Sequence, residues 1–351
     1  MRIPTPIQAL SAAAALALLA GCSGGSSIAP KVITPQGHVH QLMGHIIAAV
    51  GPMGQLKVNM NTGQHFASFD TCPTTGAIEY ISDFNNSVIN IYKGTFAGQA
   101  PCGSLGSGSG ISFAQGMFVK GSNHHLFVAN SGGLDILEFA RGGTTAVHTF
   151  ADPSAPEPAD VTVDSHGIVI ASNIAGGPGP SISTWTKTGT FIGNFLMPNA
   201  SLGLFVTVQA GGKLYYNDVD ITSGAGVLYK GKCPAGACGP FTATGATSAF
   251  PGGLRSADFE DLVQDDQSGA GGGTLNTYEH FPSPSTTCSI GAGDAVSIDI
   301  NKTQKDVFYG DATNNVGGEI KYHGCTLVGT VPGNSLGLPI GAAVDAPEVL
   351  K

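Results

Sequence analysis

Six copies of one short pattern constrain this chain more than any other feature. A brief apolar run closes on Asp or Asn at Asp83, Asn130, Asn173, Asp218, Asp266 and Asp311, at intervals of 43 to 48 residues. After each comes a turn rich in Gly, Asn or Ser, then a second run with an aromatic at Tyr92, Phe139, Trp185, Tyr229, Tyr278 or Tyr322, 44 to 49 apart. A third marker precedes the first at Asp160–Asp164 and Ala295–Asp299, with a looser copy at Gly203–Val208. Its apolar–polar alternation is that of a half-buried strand. A helical repeat would need stripes of period 3.6, and the abundance of Gly and β-branched residues disfavours helix. Four strands in about 45 residues make a propeller blade. The expected fold class is therefore all-β, a six-bladed β-propeller of four-stranded blades.

The two ends of the repeat array are complementary. Gly341–Asp345 copies the third marker but nothing follows it, whereas the first repeat starts at its second strand. The C-terminal strand is expected to complete blade one and close the ring, leaving no free radial edge. His65–Asp70 competes for that place. The organisation expected is a secretion signal over 1–21, a tether and N-terminal addition over 22–60, and the propeller over 61–351.

The N-terminal reading rests on Arg2, an Ala/Leu-rich run up to Ala20, and Leu18-Leu19-Ala20-Gly21-Cys22. One positive charge before a short apolar run and small residues is the form of a signal peptide. The last five residues resemble the lipobox of bacterial lipoproteins, which implies lipidation of Cys22 and cleavage before it. Ser23-Gly24-Gly25-Ser26-Ser27 follows as a flexible tether. A membrane contact through acyl chains is expected, in the cell envelope. Ser23 stands where an Asp would retain an enteric lipoprotein at the inner membrane, so the outer membrane is the expected address.

The net charge is −9, with no clustered Lys or Arg, which argues against a nucleic-acid partner. Charged residues are scarce at 11%, and 52 glycines suit a fold with many tight turns. Besides Cys22 there are six cysteines, an even number that reads as disulfides in an exported chain. Cys233-Pro234-Ala235-Gly236-Ala237-Cys238 has turn residues that bring its two thiols together. Cys72–Cys102 and Cys288–Cys325 are the favoured remaining pairs, with Cys102–Cys325 the alternative.

Phe127-Val128-Ala129-Asn130-Ser131-Gly132, followed by Ile136-Leu137-Glu138-Phe139, resembles NHL-type propeller repeats. The region from about 77 to 345 resembles uncharacterised bacterial lipoproteins of that type, including Phe250-Pro251-Gly252-Gly253 and the Pro339–Val344 segment. The resemblance implies the fold and leaves function open, because propellers host binders, scaffolds and enzymes.

No P-loop, GxGxxG or His-Glu-x-x-His occurs. The candidate ligand-binding residues are Asp83, Asn130, Asn173, Asp218, Asp266 and Asp311, with Asp294 beside them. In a propeller the turns between second and third strands share one face with the loops between blades. Oxygen-rich side chains there suit Ca²⁺, and Asp218, Asp266 and Asp311 are the metal-ligand candidates. The same residue types at strand ends also bond the backbone of neighbouring turns. Further carboxylates, among them Asp220, Asp258, Glu260, Asp261 and Asp265, are expected in or beside those loops. His38, His40 and His45 could hold a transition metal. The repeated aromatics are expected in the packing between blades. The favoured function is a non-catalytic module that binds an envelope protein or a small molecule. The competitor is a metal-assisted hydrolase or lyase of the gluconolactonase-like or streptogramin-lyase-like type. The former uses a Glu at a strand start, which Pro339-Ile340-Gly341 lacks.

Overall fold

The computed structural model describes residues 72–73, 75–94, 100–220, 223–257, 261–267, 273–290, 295–301, 306–312, 314–322, 324–331 and 336–345. The signal, Cys22, the tether, His38, His40, His45 and His65–Asp70 lie outside them. Six four-stranded antiparallel sheets follow one another around a ring, and strands are lettered A to D from the axis outward. Blade one joins the C-terminal strand A (Pro339–Asp345) to Ile78–Asp83, Val88–Lys93 and Gly103–Leu105. Blade two is Ala114–Lys120, His125–Asn130, Asp135–Phe139 and Ala146–Ala151. Blade three is Pro156–Val163, Val169–Gly176, Ser181–Trp185 and Phe191–Leu196. Blade four is Ala200–Val208, Lys213–Asp220, Gly226–Lys232 and Thr242–Ser248. Blade five is Pro251–Ser256, Leu262–Asp266, Thr274–Tyr278 and Thr286–Ser289. Blade six is Ala295–Asn301, Asp306–Asp311, Val316–Lys321 and Leu327–Thr330. The six expected strand ends each close a strand B, or lie within its last residues, and the C-terminal strand closes the ring as expected.

What holds the blades to one another is mainly apolar. Five buried clusters fill spaces between neighbouring blades and a sixth reaches from blades four and five to blades one, three and six; each contains one of the repeated aromatics: Tyr92, Phe139, Trp185, Tyr229, Tyr278 or Tyr322. All six are buried. Burying such a ring contributes about 2–3 kcal/mol relative to exposure, so one residue repeated every blade supplies a large share of the ring's cohesion.

A belt of polar bonds runs inside these clusters. Near the end of strand B, one side chain donates to a carbonyl of the next blade's strand A. Ser82 reaches Gln115 O at 3.3 Å, Ser131 reaches Pro158 O at 2.6 Å, Ser172 reaches Leu204 O at 2.5 Å and Asn217 reaches Gly252 O at 2.8 Å. The inner strands converge so closely that some positions admit no side chain. A Cβ at Gly253 would collide with the Ile298 amide, and one at Gly116 would collide with the Asp160 side chain. This is why glycine stands at those two places on strand A.

Three disulfides are present: Cys72–Cys102, Cys233–Cys238 and Cys288–Cys325. The first ties the entering chain to blade one, the second closes the C–D turn of blade four, and the third staples blade five to blade six.

Ring closure has its own clasp. Asp345, at the end of the C-terminal strand, has a fully buried side chain. Its carboxylate accepts from Arg141 Nη1 at 2.5 Å and pairs with His124 Nδ1 at 2.7 Å, both from blade two. Arg141 Nη2 also donates to Gly76 O at 2.6 Å and Pro73 O at 3.5 Å, so one guanidinium joins both ends of blade one to its neighbour. Removing one partner of a buried ion pair is strongly destabilising, so Arg141→Ala is expected to cost about 3 kcal/mol. Urea denaturation of the oxidised protein checks this, and an unchanged midpoint would show that the clasp does not hold the ring.

Candidate functional site

The axis of the propeller is closed by one arginine. Arg255, on strand A of blade five, is 2% exposed. Its Nη1 donates to Asp160 Oδ2 at 2.7 Å, Leu254 O at 2.8 Å and Val206 O at 3.3 Å. Its Nη2 donates to Met117 O at 2.7 Å and Asp160 Oδ1 at 3.0 Å. Its Nε stands 3.6 Å from Asp299 Oδ1. Asp299 Oδ2 in turn accepts the Val344 amide at 2.9 Å. Blade five is thereby linked directly to blades two, three, four and six, and through Asp299 to blade one. Burial opposes the charge on Arg255, but the Asp160 carboxylate beside it outweighs that and holds the guanidinium above its ordinary value. A two-pronged guanidinium–carboxylate contact of this kind is the geometry in which a buried pair is strongest.

Beside this hub, on the face of the A–B turns, lies a cavity of about 140 Å³. Its walls come from the ends of the inner strands: Phe118, Val163, Asp164, Thr207, Val208, Gln209 and Ser256, with Arg255 and Asp299. Asp164 Oδ1 accepts the His166 and Ile168 amides at 2.8 Å, which fixes the blade-three turn on one side of the cavity. Thr207 Oγ1 accepts the Ser256 amide at 3.2 Å and joins blade four to blade five. Sequence reasoning missed Arg255, although the strand register offered a signal for its place. Arg255, Asp299 and Thr207 pair with Val263, Phe308 and Tyr215, and each partner lies three residues before its strand-B Asp. Opposite charges at one repeat position of adjacent inner strands were the available signal.

The strand-end residues sit on the opposite face, and most are tied into loops. Asp83 accepts from Gly337 N at 2.7 Å and Leu338 N at 3.1 Å, as well as from Asn86. Asp266 accepts from Ala249 N at 2.9 Å and Phe250 N at 3.1 Å. Asn130 Oδ1 accepts from Ser112 N at 2.6 Å. Asp311 accepts from the Asn314 amide and side chain at 3.0 and 2.8 Å. Asn173 Nδ2 donates to the Ser181 and Ser183 hydroxyls. Asp218 differs: it is fully buried, and neither oxygen has a hydrogen-bond partner among the described residues. Burial, aided by Asp220, pushes its carboxyl up to about 7. Asp294 lies outside the described residues. Among the described residues no group of three or more His, Cys, Asp or Glu is arranged to hold a metal ion.

One expectation is corrected. Asp261 falls between strands A and B of blade five, on the opposite face from the strand-end set, where it accepts from the Tyr322 hydroxyl at 3.2 Å. The acidic run around it precedes a strand B rather than following one. Sequence reasoning also missed Glu138, which bridges His125 Nδ1 at 2.6 Å and His148 Nδ1 at 2.7 Å across three strands of blade two.

Comparison with known proteins adds the fold. A structure titled as a nidogen/laminin complex superposes with a TM-score of 0.61 at 11% identity, over 78% of this chain and 99% of that one. A functionally unknown protein from Desulfotomaculum acetoxidans gives 0.52 at 11% identity, over 77% and 99%. No family model matches the chain, and no curated relative does.

Buried carboxyls make the site's surroundings sensitive to pH. Burial pushes Glu157, whose Oε1 has no partner among the described residues, up to about 8. Burial, with Glu319 and Asp306 nearby, pushes Glu79 to about 9. A raised carboxyl keeps its proton in the folded chain after the unfolded chain has lost it. Its stabilisation is full below the ordinary carboxylate range of about 4.5 and is lost as pH rises through the folded value. Stability is therefore expected to fall between pH 5 and 8, and Glu157→Gln to make that decline shallower. Urea midpoints across this range check it; an identical slope in the variant would contradict it.

Proposed function

We propose that the chain is an exported, lipid-anchored binding module rather than an enzyme, and that it presents the face of its B–C turns to a protein of the cell envelope. The observation that carries this reading is how the axial and strand-end polar groups are used. Both oxygens of Asp160 bond Arg255, and Asp83 and Asp266 each bond two backbone amides of the adjoining loop. These side chains hold the scaffold together instead of facing a reacting group. The lactonase-like alternative needs a Glu near Pro339-Ile340-Gly341, and a Cβ at Gly341 would already collide with the Gln115 carbonyl.

Two further observations support the location and the face. Three disulfides are the mark of an oxidising compartment, in agreement with the signal and lipobox readings. Among the described residues, no helix is long and apolar enough to cross a membrane; in this reading acylated Cys22 is the attachment. On the B–C face, Phe113, Leu202 and Phe250 are partly exposed around a buried apolar cluster, with Phe113 packed 5.0 Å from Phe84. Aromatic residues with an apolar base are common anchors of protein interfaces.

The test places a photo-crosslinking residue at Phe113 or Phe250 in cells, with Leu196 on an outer strand, 60% exposed, as control. A discrete adduct from the two mouth positions, absent from the control and absent when Cys22→Ser releases the chain from the membrane fraction, is expected. No adduct from the mouth, or the same adduct from the control, would contradict the reading.

A further inference from the structure

Positive charge is sorted to one side of this propeller. The sequence between strands B and C of each blade, and between strand D of one blade and strand A of the next, contains no Lys, Arg or His. Every Lys and Arg among the described residues stands toward the other ends of the strands. Lys120 and Arg255 lie near the ends of strands A, Lys213 starts a strand B, Arg141 is in a C–D turn, and Lys93 and Lys321 end strands C. Carboxylates are not sorted in this way. Asp83, Asp220, Asp266 and Asp311 close strands B on the B–C face, and Asp152 stands in a D–A loop of the same face. They are spread around the ring, so their field covers the whole face. The amides that hold Asp83 and Asp266 are dipoles and leave the carboxylate charge in place.

The same face carries the apolar anchors. Phe113, Ala175, Leu202, Phe250 and Ala312 are half-buried around the axis, packed against a cluster that includes buried Phe84 and Leu338. Leu202 belongs to a strand A and Phe250 to the loop that enters one, whereas the strand-end carboxylates lie one strand further out. The face is thus apolar at the centre and acidic around it. Its complement is the reverse pattern, an apolar side chain flanked by Lys or Arg, because matching potentials favour a partner and like charges reject one. An acidic segment and an anionic lipid surface are both repelled.

We infer, on the reading that this face meets a protein, that it takes a basic segment of that protein, with an apolar side chain seated among Phe113, Leu202 and Phe250 and with Lys or Arg opposite the strand-end carboxylates. Fluorescence anisotropy on the full-length oxidised protein tests it with short labelled peptides. One carries Leu and Phe flanked by Lys, another has Glu in place of Lys, and a third has Ser in place of Leu and Phe. The first is expected to bind at least about tenfold tighter than either of the others, and to weaken as salt is raised. Asn85, in a B–C turn, and Pro153, in a D–A loop, are exposed. Asn85→Lys and Pro153→Lys are each expected to weaken the Lys peptide about threefold or more and to leave the Glu peptide no weaker. Phe250→Ser is expected to weaken the Lys peptide through loss of the anchor. Should that variant fail to fold, the two exposed Lys substitutions carry the test. Equal binding of the Lys and Glu peptides, no binding of the Lys peptide, or unchanged affinity in both Lys variants would each overturn the inference. Crosslinking from Phe113 and Phe250 in cells keeps the two readings apart. A mouth-specific adduct without any peptide charge preference leaves the face in use and refutes the basic partner, whereas no adduct refutes the contact face itself.

Discussion

A single guanidinium at the axis sets the terms for the rest of the ring. A six-bladed propeller must bring six inner strands together at its centre, where each presents polar backbone near the others. Leaving that centre open would expose the strands to water, and filling it with apolar groups would strand carbonyls without donors. Arg255 meets the problem with donors that point to blades two, three and four, and with a neighbouring carboxylate on blade six. Asp160 then keeps the charge balanced in the interior. The close approach of the inner strands, visible in the collisions a Cβ would make at Gly116 and Gly253, allows these short bonds to form.

From this centre outward the order of interactions is simple. Next comes the belt of Ser and Asn side chains that donate to the following blade, then one aromatic per interblade space, then the disulfides at the periphery. The belt and the aromatics link neighbours only, so the ring depends on its closure. The Asp345–Arg141–His124 clasp answers that need at the one place where the two ends of the chain share a blade. The two faces then have separate characters. Loops on one are pinned by strand-end Asp and Asn around an apolar mouth, while the other opens into a polar cavity over the hub.

Much of this was legible in the sequence, and the boundary is physical. Features that recur within a blade could be read, because each repeat supplies another sample of the same local requirement. Strand ends, the packing aromatics, the closing strand and the three disulfide pairings belong to this group. The Arg255–Asp160 pair joins residues 95 apart that belong to different blades, and it occurs once, so no repetition announced it. Ser131 also hid the belt, because it stands one place beyond Asn130, whereas Ser82, Ser172 and Asn217 stand one place before their strand ends. The strand-end set itself was visible as a set, but its role was not. Only the loop amides beside Asp83 and Asp266 show that those carboxylates fasten the chain, and that Asp218 stands apart from them.

The central claim is that Arg255 unites all six blades, and native-state hydrogen exchange read strand by strand tests it most directly. In the wild-type protein the inner-strand amides of every blade should exchange together, at the rate of global opening. In Arg255→Met their protection should fall together, including that of Pro339–Asp345, which Arg255 reaches only through Asp299. Loss of protection confined to blade five, with the other inner strands unchanged, would contradict the account.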